Sequence, residues 1–280
     1  MELIVRTVYG AKIQTSQLLG VPNELEEYTT LNEKFNIAPS YELNVNDEQK
    51  MRYVVIGNGG HMMEVSGNNS LPVPKPLQHS PTDAALYSHL PFILRPVAND
   101  IDATTRASYG LRKNITIDND EYVAYYARRM DMTGVQAQML LKNIENNVET
   151  TNPFIPNAGN LTPTPPDTVI GEVVPTTGDF VLASAPISFI LDQFDMDEIK
   201  NAANIIYGSE DYAIISELGL VAGVDKVIGA TDYLGASFNY TEIIGAQVCT
   251  HISTFHAIRF TNGGINSNFD VGATEPLYLS

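Results

Sequence analysis

The chain has 280 residues, 44% of them hydrophobic, and carries 16 Lys+Arg against 33 Asp+Glu for a formal charge of -17. Such a chain is long enough to bury a core without staples and too apolar to be disordered throughout. Its single cysteine excludes an intramolecular disulfide, and its acidity disfavours phosphate backbones and anionic membranes as partners.

The charge is uneven: residues 1–150 hold 13 basic and 18 acidic residues, residues 151–280 hold 3 and 15. No apolar run approaches the eighteen residues of a membrane span. The start, Met1-Glu2-Leu3-Ile4-Val5-Arg6, shows no basic region followed by a long apolar core, which predicts synthesis in the cytosol without a signal peptide.

In chain order, Leu3-Ile4-Val5 reads as a strand and Asn23–Glu27 after Pro22 as a short helix, within a stretch to Lys50 that otherwise lacks strict period. Arg52–Ile56 reads as a strand. Asn58-Gly59, between it and Met62–Val65, predicts a hairpin turn, because both central residues tolerate positive φ. Pro72, Pro74, Pro76 and Pro81 predict an extended, partly polyproline-like segment. Asp83–Leu90 reads as two helical turns ended by Pro91, and Asp100–Tyr109 as a short helix stopped by Gly110. Ile115–Ile117, the Asp118-Asn119-Asp120 turn and Tyr122–Tyr126 make a second hairpin. Thr133–Glu149 fits a helical face at Val135, Met139, Leu140 and Ile144, while its Asn/Thr content favours strand.

Residues 150–178, rich in Thr and Pro, read as a linker or loop. Beyond them Phe180–Ala183 and Ile187–Leu191 read as strands. Asp195–Tyr207 is the best helix pattern, with Asp195 as cap, Glu198 three residues on, an apolar face of Ile199, Ala202, Ala203 and Ile206, and Gly208 as stop. Tyr212–Ile215 and Leu218–Val221 continue as strand around Glu217, and Tyr240–Phe260 as one or two strands. Thr261–Ser280 reads as an arm or loose end. The expected fold is α+β and strand-rich: β-sheets with a few short helices, long extended Pro-rich loops and terminal arms. The expected organisation is a mixed region over 1–149, the linker 150–178, a β-rich region with one helix over 179–260, and a C-terminal arm over 261–280.

Candidate chemistry is sparse. Gly57-Asn58-Gly59-Gly60 lacks both nucleotide-loop patterns and reads as a turn. Among His61, His79, His89, His251 and His256 no pair has metal-ligand spacing. The five-residue gap from His251 to His256 puts those rings on opposite faces of a strand, and His61 reads as a partner contact or turn hydrogen bond. Asp192, Asp195, Asp197 and Glu198 would serve a calcium or glycosidase site, but sit where a helix start favours negative charge. Arg128 and Arg129 point to opposite faces of a strand and make no basic groove. Cys249 reads as a small buried filler. Asn114-Ile115-Thr116, Asn160-Leu161-Thr162 and Asn239-Tyr240-Thr241 match the glycosylation sequon and read as chance matches. No catalytic, cofactor or metal residues are assigned, and the expectation is a protein that is not an enzyme.

The block Tyr53–His61, Pro74, His79–Tyr87 and Leu90–Arg95, together with Asp211–Leu220, resembles virion structural proteins of tailed bacteriophages, across about residues 50–130 and 180–260. Within that class it is most similar to wedge proteins of contractile-tail baseplates, although those carry tryptophan-containing landmarks and this chain has no tryptophan. The resemblance implies a structural subunit in a symmetric multicopy assembly around the tail axis. The chain would be made in the host cytoplasm and located in the virion, and would contact copies of itself and other tail or baseplate proteins, with no cofactor, nucleic acid or membrane. A neck or collar protein of the same particle is the alternative, and a receptor-binding or carbohydrate-active tail module using the acidic cluster is a third reading.

Overall fold

A short uninterrupted apolar run rich in β-branched residues suits a strand buried on both faces in the interior of a sheet. Tyr53, Val54, Val55 and Ile56 are such a run: all four are fully buried in β2 (Lys50–Gly57). The structure, a computed structural model, describes residues 3–65, 71–145, 148–159, 161, 179–261 and 263–276. The chain forms two compact units. The first comprises Met1–Met130 with Ile190–Ile265, the second Asp131–Phe189 with Asn266–Ser280. The boundaries expected at 149/150 and 178/179 therefore fall inside the second unit, because the chain leaves the first unit after Met130 and returns at Ile190.

In the first unit β1 (Leu3–Arg6), β14 (Ser237–Ala257), β13 (Ile214–Thr231), β2 and β5 (His89–Leu90) lie in that order, with β9 (Arg128–Arg129) also on β2. All these pairings are antiparallel. The β13–β14 hairpin turns at 232–236, where Asp232 accepts from the Leu234 and Ala236 amides and Gly235 takes φ 84°. Before Val224 the hairpin is almost wholly buried. From there β13 alternates half-buried and exposed residues, as a strand with one solvated face does. Cys249 is buried on β14, as expected.

A second sheet runs β6 (Ile93–Pro96), β8 (Asp120–Tyr125), β7 (Arg112–Ile117). The β7–β8 hairpin is the predicted one, with Asp118 and Asn119 at φ 50° and 72°. Helix α4 (Gln193–Tyr207) buries Met196, Ile199, Ala202 and Ala203. Asp192, rather than Asp195, is its cap: Asp192 accepts from the Asp195 amide while Asp195 accepts from the Asp192 amide, and Gly208 closes the helix at φ 75°.

Several expectations change. Residues 8–19 form helix α1, capped by Thr7 and ended by Gly20, although only Ile13 and Ser16 of it are buried and no apolar period announces it. A second short helix, α2 (Leu31–Phe35), is set by a Thr30–Glu33 capping box, while Asn23–Glu27 is not helical. Asp83–Leu90 is irregular chain with bends leading into strand rather than helix, and Asp100–Tyr109 keeps only α3 (Ala103–Arg106) with an Asp102 cap.

The second unit contains a sheet ordered β11 (Val148–Pro153), β10 (Gln138–Glu145), β12 (Asp179–Leu191), β15 (Ile265–Pro276). Within Thr133–Glu149 it places Gln138–Glu145 and the start of Val148–Pro153 in strands, with 133–137 irregular, and it merges the two predicted strands of 179–191 into one. It also takes most of the expected C-terminal arm as a sheet strand, since alternation from Ile265 to Val271 lets that segment present one half-buried face. The greater part of the Thr/Pro-rich linker, 162–178, lies outside the described residues.

Candidate functional site

Ser216 and Glu217 are consecutive on β13, yet both side chains serve the same stretch of chain. A register shift between Ile215 and Glu217 makes this possible, because a bulge breaks strict alternation and re-aims side chains. Ser216 Oγ accepts from the Gly60 amide at 3.0 Å. Glu217 Oε1 accepts from the Gly59 and Ser88 amides at 3.0 and 2.9 Å, and Oε2 from the Tyr87 amide at 2.9 Å. The His79 Nε2–H completes the set at 2.9 Å. Glu217 is 0% exposed, so these four donors replace its water.

The glycines follow from this packing. A Cβ on Gly60 would lie 2.6 Å from the Ser216 carbonyl oxygen, one on Gly59 2.8 Å from Ser88 Cβ, and one on Gly57 would collide with Ser88 O and the Glu217 side chain. The expected Asn58-Gly59 hairpin turn is absent: β2 pairs with β13, β5 and β9, and β3 (His61–Glu64) pairs with β4 (Val73–Pro76). Neither Asn58 nor Gly59 has positive φ. Close backbone approach, not turn geometry, requires these glycines.

His79 bridges two carboxylates, with Nδ1 3.0 Å from Asp83 Oδ2 and Nε2 2.9 Å from Glu217 Oε2. A neutral ring has one N–H and satisfies one of them; an imidazolium satisfies both. Burial opposes that charge, but the hydrogen bonds to Glu217 and Asp83 outweigh it and raise the His79 pKa. Its ring lies between Tyr87 at 4.2 Å and His251 at 3.9 Å. His89 is nearby in charge terms and buried, its pKa pushed down to about 3 chiefly by burial. His61 stacks edge-on to Phe255 and is also lowered by burial. Four of the five histidines, which sequence spacing did not connect, thus lie around Glu217. Among the described residues no group of His, Cys, Asp or Glu is placed to hold a metal ion.

The family model described as "Family of unknown function (DUF7208)" matches residues 1–280. The chain belongs to the DUF7208 family. Neither a curated protein nor a solved structure matches it.

In this DUF7208 chain the acidic cluster separates into structural contacts. Asp192 and Asp195 cap α4, buried Asp195 pairs with Arg128, Asp197 pairs with Lys200 at 3.1 Å, and Glu198 accepts from Arg95 Nε at 3.1 Å. Arg129 pairs separately with Asp225 at 2.7 Å and stacks on Tyr53, so the two arginines diverge as their strand requires.

A second polar knot joins Asp100, Arg106, Arg112 and Tyr125. Asp100 accepts from Tyr125 Oη at 2.7 Å and from both guanidinium groups at 3.2 Å. Both arginines also lie over the Phe238 ring. Beside it Glu242 accepts from the Tyr240 hydroxyl, and its Oε1 has no partner among the described residues. Burial pushes the Glu242 carboxyl up to about 7.

The exposed surface differs in kind between the units. Among the described residues of the second unit only Ser184, Ile187 and Phe189 are buried, while Met139, Val148, Ile155 and Leu161 are 49–73% exposed. Both outer strands of its sheet, β11 and β15, present unpaired edges among the described residues.

Proposed function

We propose that this protein is a non-enzymatic structural subunit of a tailed-phage virion, a baseplate wedge component that binds neighbouring subunits in a symmetric multicopy assembly. The observation that carries the assembly role is the second unit. A four-stranded sheet gains its stability by covering at least one face, and this one leaves large apolar side chains in water on a unit with few buried residues. Two edges that no described strand covers offer main-chain donors and acceptors to a neighbour's strand. In the first unit the best-organised polar constellation, around Glu217, is occluded and every Glu217 oxygen is committed to an internal donor, as in a knot that fixes loops. The tail position rests on the resemblance of residues 50–130 and 180–260 to wedge proteins.

The test is mass spectrometry of purified particles from a phage encoding this chain, followed by cryo-electron microscopy. The expected result is the chain in fixed multicopy stoichiometry around the tail axis, with the second unit against other subunits. Particles that lack the chain would overturn the reading.

A further inference from the structure

We propose that buried His89 and His251 form a proton-triggered latch that releases residues 77–90 from the first unit's sheet on mild acidification. The geometry leaves neither ring room for a second proton. His251 Nε2 lies 3.0 Å from the Asp83 carbonyl oxygen, which only accepts, so the ring hydrogen is on Nε2 and Nδ1 is bare. That Nδ1 is buried without a partner among the described residues. A proton placed there would create a cation with no acceptor, 3.9 Å from the parallel ring of His79, itself charged between Asp83 and Glu217.

His89 is held the other way round. Its Nε2 accepts from the Leu86 amide at 3.1 Å, so its hydrogen is on Nδ1, which is also buried without a partner among the described residues. Protonation would set an N–H against the Leu86 N–H and break that bond.

The charged and titratable groups that face this pair come from every neighbouring element. Lys34 of α2, His251 and His79 act on His89, and Asp83, His79 and Glu217 act on His251. His61 of β3 faces Glu217. The two carboxylates are already occupied, Asp83 by His79 and the Ser80 amide, and Glu217 by four donors. Burial accordingly holds both imidazoles below their ordinary value, while an opened segment would restore it to about 6.5. Opening thus takes up two protons and becomes more favourable by up to about a hundredfold per pH unit below about 6.5. His79 does not oppose this, since it is charged in both states there.

The segment is otherwise held by Pro81 O to the Val8 amide, Thr82 O to Tyr9 Oη, Leu77 O to Ser253 Oγ, the Leu77 amide to Gly60 O, the Asn58 amide to Ser88 O, the Tyr87 and Ser88 amides to Glu217, and the short β5 pairing of His89 and Leu90 with Gly57 and Ile56, all of which the opening must break. Its release would uncover the start of α1 and the middle of β14.

Hydrogen exchange on the full chain between pH 7 and pH 5, corrected for intrinsic rates, tests the latch. The expected result is at least a tenfold loss of protection in peptides covering 77–90 while 53–56 stays protected, with the loss abolished in the His89→Gln/His251→Gln double variant. Protection independent of pH, or an equal loss in the variant, overturns it. Should the variant not fold, NMR titration of the histidine Cε1 protons in the unaltered chain decides: both rings must stay neutral until the segment opens, and titration of either ring near 6.5 in the closed form overturns the proposal.

Discussion

Glu217 shows at the scale of one side chain what a buried charge demands. Replacing it with Gln leaves one carbonyl oxygen for donors that two oxygens now serve, and turns an NH2 toward other N–H groups. Removing one partner from such a set costs roughly 3–5 kcal/mol, so Glu217→Gln should lower unfolding free energy by that order in urea titration. A change below about 1 kcal/mol would mean the carboxylate is not ionised in the fold. His79 adds a pH signature with a definite sign. Its pKa is raised on folding, so its contribution is complete below about 6.5 and is lost as pH rises through the folded value. Glu242 is the opposite case: an acid raised to about 7 disfavours the fold as pH climbs from about 4.5 through 7. Glu242→Gln should therefore stabilise the protein by up to roughly 3 kcal/mol at pH 8 and by little at pH 4, read from paired denaturation curves. Almost none of this was legible in the sequence. Glu217 stood inside a strand pattern as an isolated charge, and its partners at 59, 79, 87 and 88 are brought to it by a bulge and by chain crossings that leave no local period.

At the scale of elements, local rules served where both pattern and stop signals were local. The β7–β8 hairpin is set by alternation and by an Asp-Asn turn that tolerates positive φ, and α4 by its apolar face and Gly208. Where tertiary contacts overrule the local pattern, the reading failed. Asn58-Gly59 resembles a hairpin turn, but its glycines exist to admit Ser88 and Glu217. Asp83–Leu90 resembles a helix, but its amides at Tyr87 and Ser88 are taken by Glu217 instead of by carbonyls one turn back. Helix α1 went unread because two inward residues in twelve leave no stripe. The cap of α4 is Asp192 although Asp195 is an equally good cap residue by type, because only the reciprocal bonds distinguish them. Asp192→Ala should cost about 1 kcal/mol in thermal or chemical unfolding. Arg128→Ala should cost more, about 3 kcal/mol or above, because it strands the buried Asp195 charge; equal costs for the two variants would refute the distinction.

For the whole molecule the contrast between the units is what the proposed docking role rests on. The first unit buries long apolar strands and closes its polar groups on one another, whereas the second keeps exposed Met139 on β10 and Val148 on β11 of a sheet with open edges. The second unit also carries one basic residue, Lys142, against eight acidic ones, so a charge of the same sign added there should discourage association. Met139 and Val148 are 49% and 62% exposed, so changing them to Glu removes little buried area from the isolated protein. The double variant Met139→Glu/Val148→Glu should therefore unfold within about 0.5 kcal/mol of the parent. If this face is where neighbours dock, the same variant should join particles at least tenfold less well, a loss of about 1.4 kcal/mol per contact. Competitive incorporation of tagged parent and variant chains during infection measures the ratio directly. Equal incorporation at equal stability would show that this sheet is not the docking face, and would leave its exposed apolar residues without the role argued for them.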